Sequence, residues 1–207
     1  MKGLPLQITV AWLVSLGVGC SSAPVRYYTL TPPPAETLPA AATNLAIDVR
    51  VVHAPPQLNR SELMIRTGPA AVTLLENERW AAPLNDEIKD ALRLELRRRL
   101  SRVSGSLGVF TKLTVDIDVQ HFEAQFGHDA LFEASWNAAL SSAGQRSTGV
   151  PATACTFKAD EKITAGYAEI VEGYQRAIAA LADAIVAVLT SPSSAENAAC
   201  HYSPMRS

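Results

Sequence analysis

Between Thr111 and Gln125 apolar and polar residues take turns: Leu113, Val115, Ile117 and Val119 on one side, Thr114, Asp116, Asp118 and Gln120 on the other. A period of two over that length fits a strand with one buried and one wet face, and excludes a helix. Gly127-His128-Asp129 reads as a turn, and Ala130, Phe132, Ala134, Trp136, Ala138 and Leu140 carry the same alternation back. Ser142–Gly149 is a second turn region and Val150–Lys158 a third strand, so the centre of the chain is an antiparallel meander.

A meander with one apolar face needs a cover, and two stretches supply it. From Ala82 to Leu100, residues Leu84, Ile88, Ala91, Leu92, Leu96 and Leu100 recur at helical spacing, with Asp86, Glu87 and Asp90 at the start and arginines at the end, as a helix dipole favours. From Gly166 to Thr190, Ile170, Val171, Tyr174, Ile178, Leu181, Ile185 and Val188 form a second apolar face. Ala177–Leu189 is apolar but short for a bilayer span and carries Asp183, so it reads as a core helix. Leu45–Val52 alternates as a further strand. Ser61–Arg66 and Ala71–Leu75 are two short ones split by Gly68-Pro69, ending at Trp80 and Pro83. The expected fold is α+β: a mixed or antiparallel sheet of about six strands with two long helices laid over it. At 207 residues, one domain over 45–190 is expected, followed by a polar tail over 191–207.

The first residues are read as a targeting signal rather than structure. Met1-Lys2, an apolar run from Leu4 to Leu16 and small residues at 17–19 precede Cys20, the pattern of a signal peptide over 1–19. Cleavage before Cys20 with acylation of its sulfur makes the chain a bacterial lipoprotein. Leu16 and Gly17 depart from the usual lipobox, which leaves an ordinary signal peptide or an uncleaved anchor as alternatives. Ser21, where an Asp would retain the protein in the inner membrane, points to the outer membrane and its periplasmic face. Residues 20–44 are rich in Pro, Ala, Thr and Ser, with Pro32-Pro33-Pro34, and read as an extended tether. Tyr27-Tyr28 either docks on the domain or sits in the membrane interface.

In the periplasm Cys155 and Cys200 are an even pair able to form a disulfide. A metal site from Cys155, Cys200 and His201 lacks ligand spacing. With 18 Lys+Arg against 20 Asp+Glu, no nucleic acid is expected as partner. The cluster Arg93, Arg97, Arg98, Arg99 and Arg102 reads as helix-end cations before it reads as a phosphate patch. Catalysis finds no constellation: Gly144–Gly149 is only loosely like a nucleophile elbow, His53, His121, His128 and His201 are scattered, and Asp116 and Asp118 share a wet strand face. No enzyme activity, cofactor or metal is expected.

One set of motifs is sharper. Tyr27-Tyr28-Thr29-Leu30, Leu58-Asn59-Arg60-Ser61 through Ile65-Arg66, and Glu78-Arg79-Trp80-Ala81-Ala82-Pro83-Leu84 together resemble the PqiC-like auxiliary lipoproteins of MCE-type ABC lipid transport systems. Asn59 and Ser61 stand where that family usually has Asp and Pro. The resemblance implies an outer-membrane lipoprotein that docks a periplasm-spanning MCE protein, as a homo-oligomer. Arg60, Arg66, Glu78, Arg79 and Trp80 are then the candidate partner-docking residues. The bland reading is that Trp80 plugs the gap between sheet and helix while Glu78 and Arg79 form local pairs. The rival function is a periplasmic ligand-binding or envelope-stabilising lipoprotein that needs no transporter.

Overall fold

The computed structural model describes residues 23–33, 45–103, 110–142, 155–190 and 200–202. Cys20 and the signal segment, most of the expected tether, the Gly144–Gly149 turn and most of the tail lie outside them.

Among the described residues eight strands form a single sheet: β1 (Arg26–Tyr28), β2 (Ala46–His53), β3 (Glu62–Gly68), β4 (Ala71–Trp80), β5 (Phe110–Gln125), β6 (Asp129–Ser142), β7 (Cys155–Lys162) and β8 (His201–Tyr202). Two helices, α1 (Leu84–Val103) and α2 (Tyr167–Thr190), complete the α+β fold. The order across the sheet is β1-β4-β3-β5-β6-β7-β8, with β2 also on β5. β5, β6 and β7 pair antiparallel, as their alternation indicates. The long β5 carries two parallel partners end to end on its other edge. β2 lies along Lys112–Asp118, and β3 meets Ala124 and Gln125. The two strands beyond the expected six or so are the shortest, β1 and β8.

The core lies between one face of this sheet and the helices. Leu113, Val115, Ile117, Ala130, Phe132, Leu92, Leu96, Leu181 and Ile185 are fully enclosed. α2 is long and apolar enough to cross a membrane by composition, but its apolar face is spent on this core. Gly173 explains how closely it sits, since a Cβ there would come within 2.8 Å of the Ile163 side chain and 3.1 Å of Ala130. The β5–β6 turn needs Gly127, whose φ of 73° disfavours any side chain. Pro83 precedes α1 rather than lying inside it, and its carbonyl accepts from the amides of Asp86 (2.8 Å) and Glu87 (3.1 Å).

The two helices are joined by charge. Arg99 on α1 donates to Asp183 on α2 at 2.5 and 3.0 Å and pairs with Glu95 on its own helix. Arg98 pairs with Glu95 at 2.9 Å, and Arg93 with Asp90 at 2.9 Å. Most of the arginine cluster is thus neutralised by carboxylates, not held out for a phosphate. At the far edge of the sheet a disulfide links Cys155 of β7 to Cys200, next to β8.

Candidate functional site

The junction where β4 ends and α1 begins gathers the family-like motifs, and two buried glutamates organise it. Glu78, the third-last residue of β4, is 4% exposed, and Glu87, in the first turn of α1, is 5% exposed. A carboxylate removed from water must be paired or fully hydrogen-bonded. Both are satisfied by the same segment, the N-terminal residues that the sequence presents as tether.

β1 lies parallel to the end of β4, with Arg26 beside Glu78, Tyr27 beside Arg79 and Tyr28 beside Trp80. The Arg26 Nε donates to both Glu78 oxygens at 3.0 Å, its second guanidinium nitrogen closes a further contact, and the Tyr28 hydroxyl donates at 2.7 Å. Arg26 also stands 5.8 Å over the Tyr167 ring. One turn into α1, Glu87 accepts from the Thr29 hydroxyl (2.8 Å), the Leu30 amide (2.8 Å) and the Ala82 amide (3.1 Å). Leu30 is driven fully into the core. The Ala81 amide donates to the Tyr28 carbonyl, Gln175 to the Thr29 carbonyl and Arg98 to the Pro33 carbonyl.

Tyr27 and Tyr28 therefore have different fates. Tyr28 is half-buried in the clamp, whereas Tyr27 is 67% exposed. The expected free tether is interrupted by this docked stretch, because β4 has an open edge beside the helix entrance and two carboxylates waiting there.

The other candidates divide by burial. Trp80, 5% exposed, meets Phe122 edge-on at 6.1 Å and Tyr174 at 6.4 Å. Phe122 and Tyr174 stack at 3.7 Å, and the aromatic series continues through Phe132 to Phe157. Arg66 points along the sheet, donating to Glu123 at 2.9 Å and to the Pro69 carbonyl at 3.1 Å. Glu78 and Arg79 do not pair with each other: Arg79 faces Glu62 at 3.7 Å and donates to the Glu76 carbonyl at 3.0 Å. Arg60 is exposed. Glu62, hydrogen-bonded by the Ser61 hydroxyl and with the charges of Arg79 and Arg60 nearby, is held below the usual carboxylate range.

The hollow beside Trp80, lined among others by Leu58, Leu63, Leu84 and Ile170, measures about 10 Å³, enough for about one water. Among the described residues, no three His, Cys, Asp or Glu side chains are placed to hold a metal. Sequence reasoning reached Glu78 and missed Glu87 and Arg26. The available signal was an acidic residue in a helix's first turn, which fits a dipole and an acceptor equally well.

Fold and junction define an open α+β sheet domain that wears its own N-terminal segment as an edge strand. This chain belongs to the family of ABC-type transport auxiliary lipoprotein components, whose model matches residues 28–186, from Tyr28 of the clamp into α2. A crystal structure of an uncharacterised protein shares the fold, with a TM-score of 0.56 at 21% identity over 79% of this chain and 97% of that one. Protein XCC0632 from Xanthomonas campestris gives a TM-score of 0.48 at 19% identity, over 80% and 91% of the two chains. Among curated proteins none matches the sequence.

The clamp has a pH window. Burial pushes the Glu78 carboxyl up, but the hydrogen bonds from Arg26 and Tyr28 and the Arg26 charge outweigh it and leave it below its ordinary value of 4.5. Its contribution is present above that value and is lost as pH falls through the lowered one. Burial, with the bond to Glu78, pushes the Tyr28 phenol from 10.0 to about 12. That contribution is present below pH 10 and is lost as pH rises toward 12. Hydrogen exchange of residues 26–30, corrected for intrinsic rates, is expected to stay slow at neutral pH and to quicken at both extremes. Glu78→Gln should quicken it at neutral pH and flatten the acid limb; unchanged protection in that variant would show that Glu78 does not hold the strand.

Proposed function

We propose that this chain is a periplasmic lipoprotein, acylated at Cys20 and held at the outer membrane, that serves an MCE-type ABC lipid transport system. It docks the periplasm-spanning MCE protein and works as a homo-oligomer without catalysing a reaction. The observation that carries the reading is the clamp. Only five residues separate Cys20 from Arg26, a stretch that at about 3.3–3.6 Å per residue leaves the domain within about 20 Å of the acyl chains. An adaptor that must seat a partner at a bilayer needs this short, fixed mounting, and a free tether of twenty-five residues would not give it. The ligand-binding alternative draws no support from the hollow beside Trp80.

Of the candidate docking residues, Arg60 and Arg79 have guanidinium groups within reach of a partner. Glu78 and Trp80 act from inside, by holding the surface in shape, and Arg66 fixes the β3–β4 turn. Purification of the tagged full-length chain from solubilised membranes is expected to recover an MCE protein. Arg60→Gln with Arg79→Gln should cut that recovery at least several-fold while moving the thermal midpoint only slightly, because charges at an interface act on association and the exposed Arg79–Glu62 pair adds little to folding. Failure of the wild-type protein to bring down any MCE protein would remove the docking role.

A further inference from the structure

The end of the sheet from which the anchor segment enters carries a run without charge. Thr67 through Leu75, the β3–β4 hairpin and its turn, holds no titratable side chain. On it Val72 and Leu74 are 52% and 39% exposed, opposite Arg66 and Met64. β3 runs parallel to β5 through Ile65–Ala124 and Arg66–Gln125, so the β5–β6 turn lies at the same end. There Phe126, 41% exposed, leans on Tyr167 at 5.3 Å between ring centres. Single exposed apolar residues are ordinary, but several at one end of a domain form a patch that calls for a partner.

The chain itself indicates which partner. β1 is parallel to β4, so the residues before β1 arrive from the hairpin end. Tyr27 is level with Arg79. Seven residues back from Tyr27 is Cys20, and seven back from Arg79 is Val72. Each stretch spans about 23 Å when extended. A chain of that length lets an acylated Cys20 reach the level of the apolar tip.

We propose that the β3–β4 tip, with Phe126, is seated in the interfacial layer of the leaflet that holds the acyl chains of Cys20. Its partner is a lipid surface, and the contact sets the tilt of the domain so that the start of β5 points away from the membrane. The inference rests on acylation of Cys20 as proposed above. It adds to the anchor a second, protein-borne point of contact, of the kind an interfacial apolar surface provides.

The test uses the full-length acylated protein in vesicles of phosphatidylethanolamine and phosphatidylglycerol, with no transport partner present. An environment-sensitive fluorophore is placed at Val72→Cys or, as a control, at Lys112→Cys, which lies at the far end of β5. Nitroxide on the lipid headgroups is expected to quench the label at position 72 several-fold more than the label at 112. Adding Leu74→Asp and Phe126→Asp should abolish the difference without reducing flotation with the vesicles. Flotation with equal quenching at both positions overturns the seated tip and leaves the anchor intact. Loss of flotation in the unmutated protein overturns the anchor and the seated tip together. A blue shift at position 72 that grows with protein concentration and resists the nitroxide assigns the patch to a second copy instead.

Discussion

Trp80→Ala is expected to lower folding stability by about 3–5 kcal/mol, the cost of emptying a large aromatic site in a packed core. Three things converge on this side chain. It closes the aromatic series with Phe122 and Tyr174. It sits at the last position of β4, where its amide donates to the Ser61 carbonyl at 2.7 Å. It also stands beside Tyr28, so the floor under β1 goes with it. Urea unfolding followed by near-ultraviolet circular dichroism checks the size of the loss, and Trp80→Phe should recover more than half of it. On the proposed docking role, the same variant would lose its partner in a pull-down through collapse of the junction and not through removal of a contact. Stability within about 1 kcal/mol of wild type, the range of a surface substitution, together with lost partner recovery would return Trp80 to the docking surface.

What could be read from the sequence follows from how local each signal is. The β5–β6–β7 meander was legible because alternation is written into consecutive residues. The helices were legible because α1 puts Ile88, Leu92 and Leu96 on one face and α2 does the same with Tyr174, Ile178, Leu181 and Ile185. β1 was not, since three residues carry no period. What makes Arg26–Tyr28 a strand is Glu78, fifty residues on, while Glu87 anchors the residues that follow. The parallel placing of β2 on β5 is equally remote, because alternation fixes a strand's faces and says nothing of its neighbour. Glu78-Arg79 misled for a related reason. Adjacent opposite charges suggest a local pair, yet neighbouring residues on a strand point to opposite faces. Glu78 goes inward to Arg26 and Arg79 outward toward Glu62. The family motifs fall on this junction, where Glu78 holds β1 and Trp80 packs in the core.

Cys200→Ser is expected to cost about 4 kcal/mol, which the chain-entropy model assigns to a cross-link closing a loop of this length. The bridge spans 45 residues and encloses the whole of α2, so it limits how far the unfolded chain can spread while that helix finds the sheet. It also holds a strand too short to persist alone. β8 has two residues, and its neighbour Cys200 accepts from the Thr156 amide at 2.7 Å and the Thr156 hydroxyl at 3.3 Å. Cys155→Ser should give the same loss as Cys200→Ser, and the double variant no more than either alone, because all three delete one cross-link. Reductant should lower the wild-type urea midpoint to that of the variants and leave theirs unchanged. Two readily alkylated thiols in the native protein, with unaltered stability in both single variants, would show that the bridge is absent in the cell. Reduction of the bridge loosens the β7–β8 edge first, while the clamp at Glu78 and Glu87, which contains no sulfur, goes on holding β1 and Leu30 to the domain.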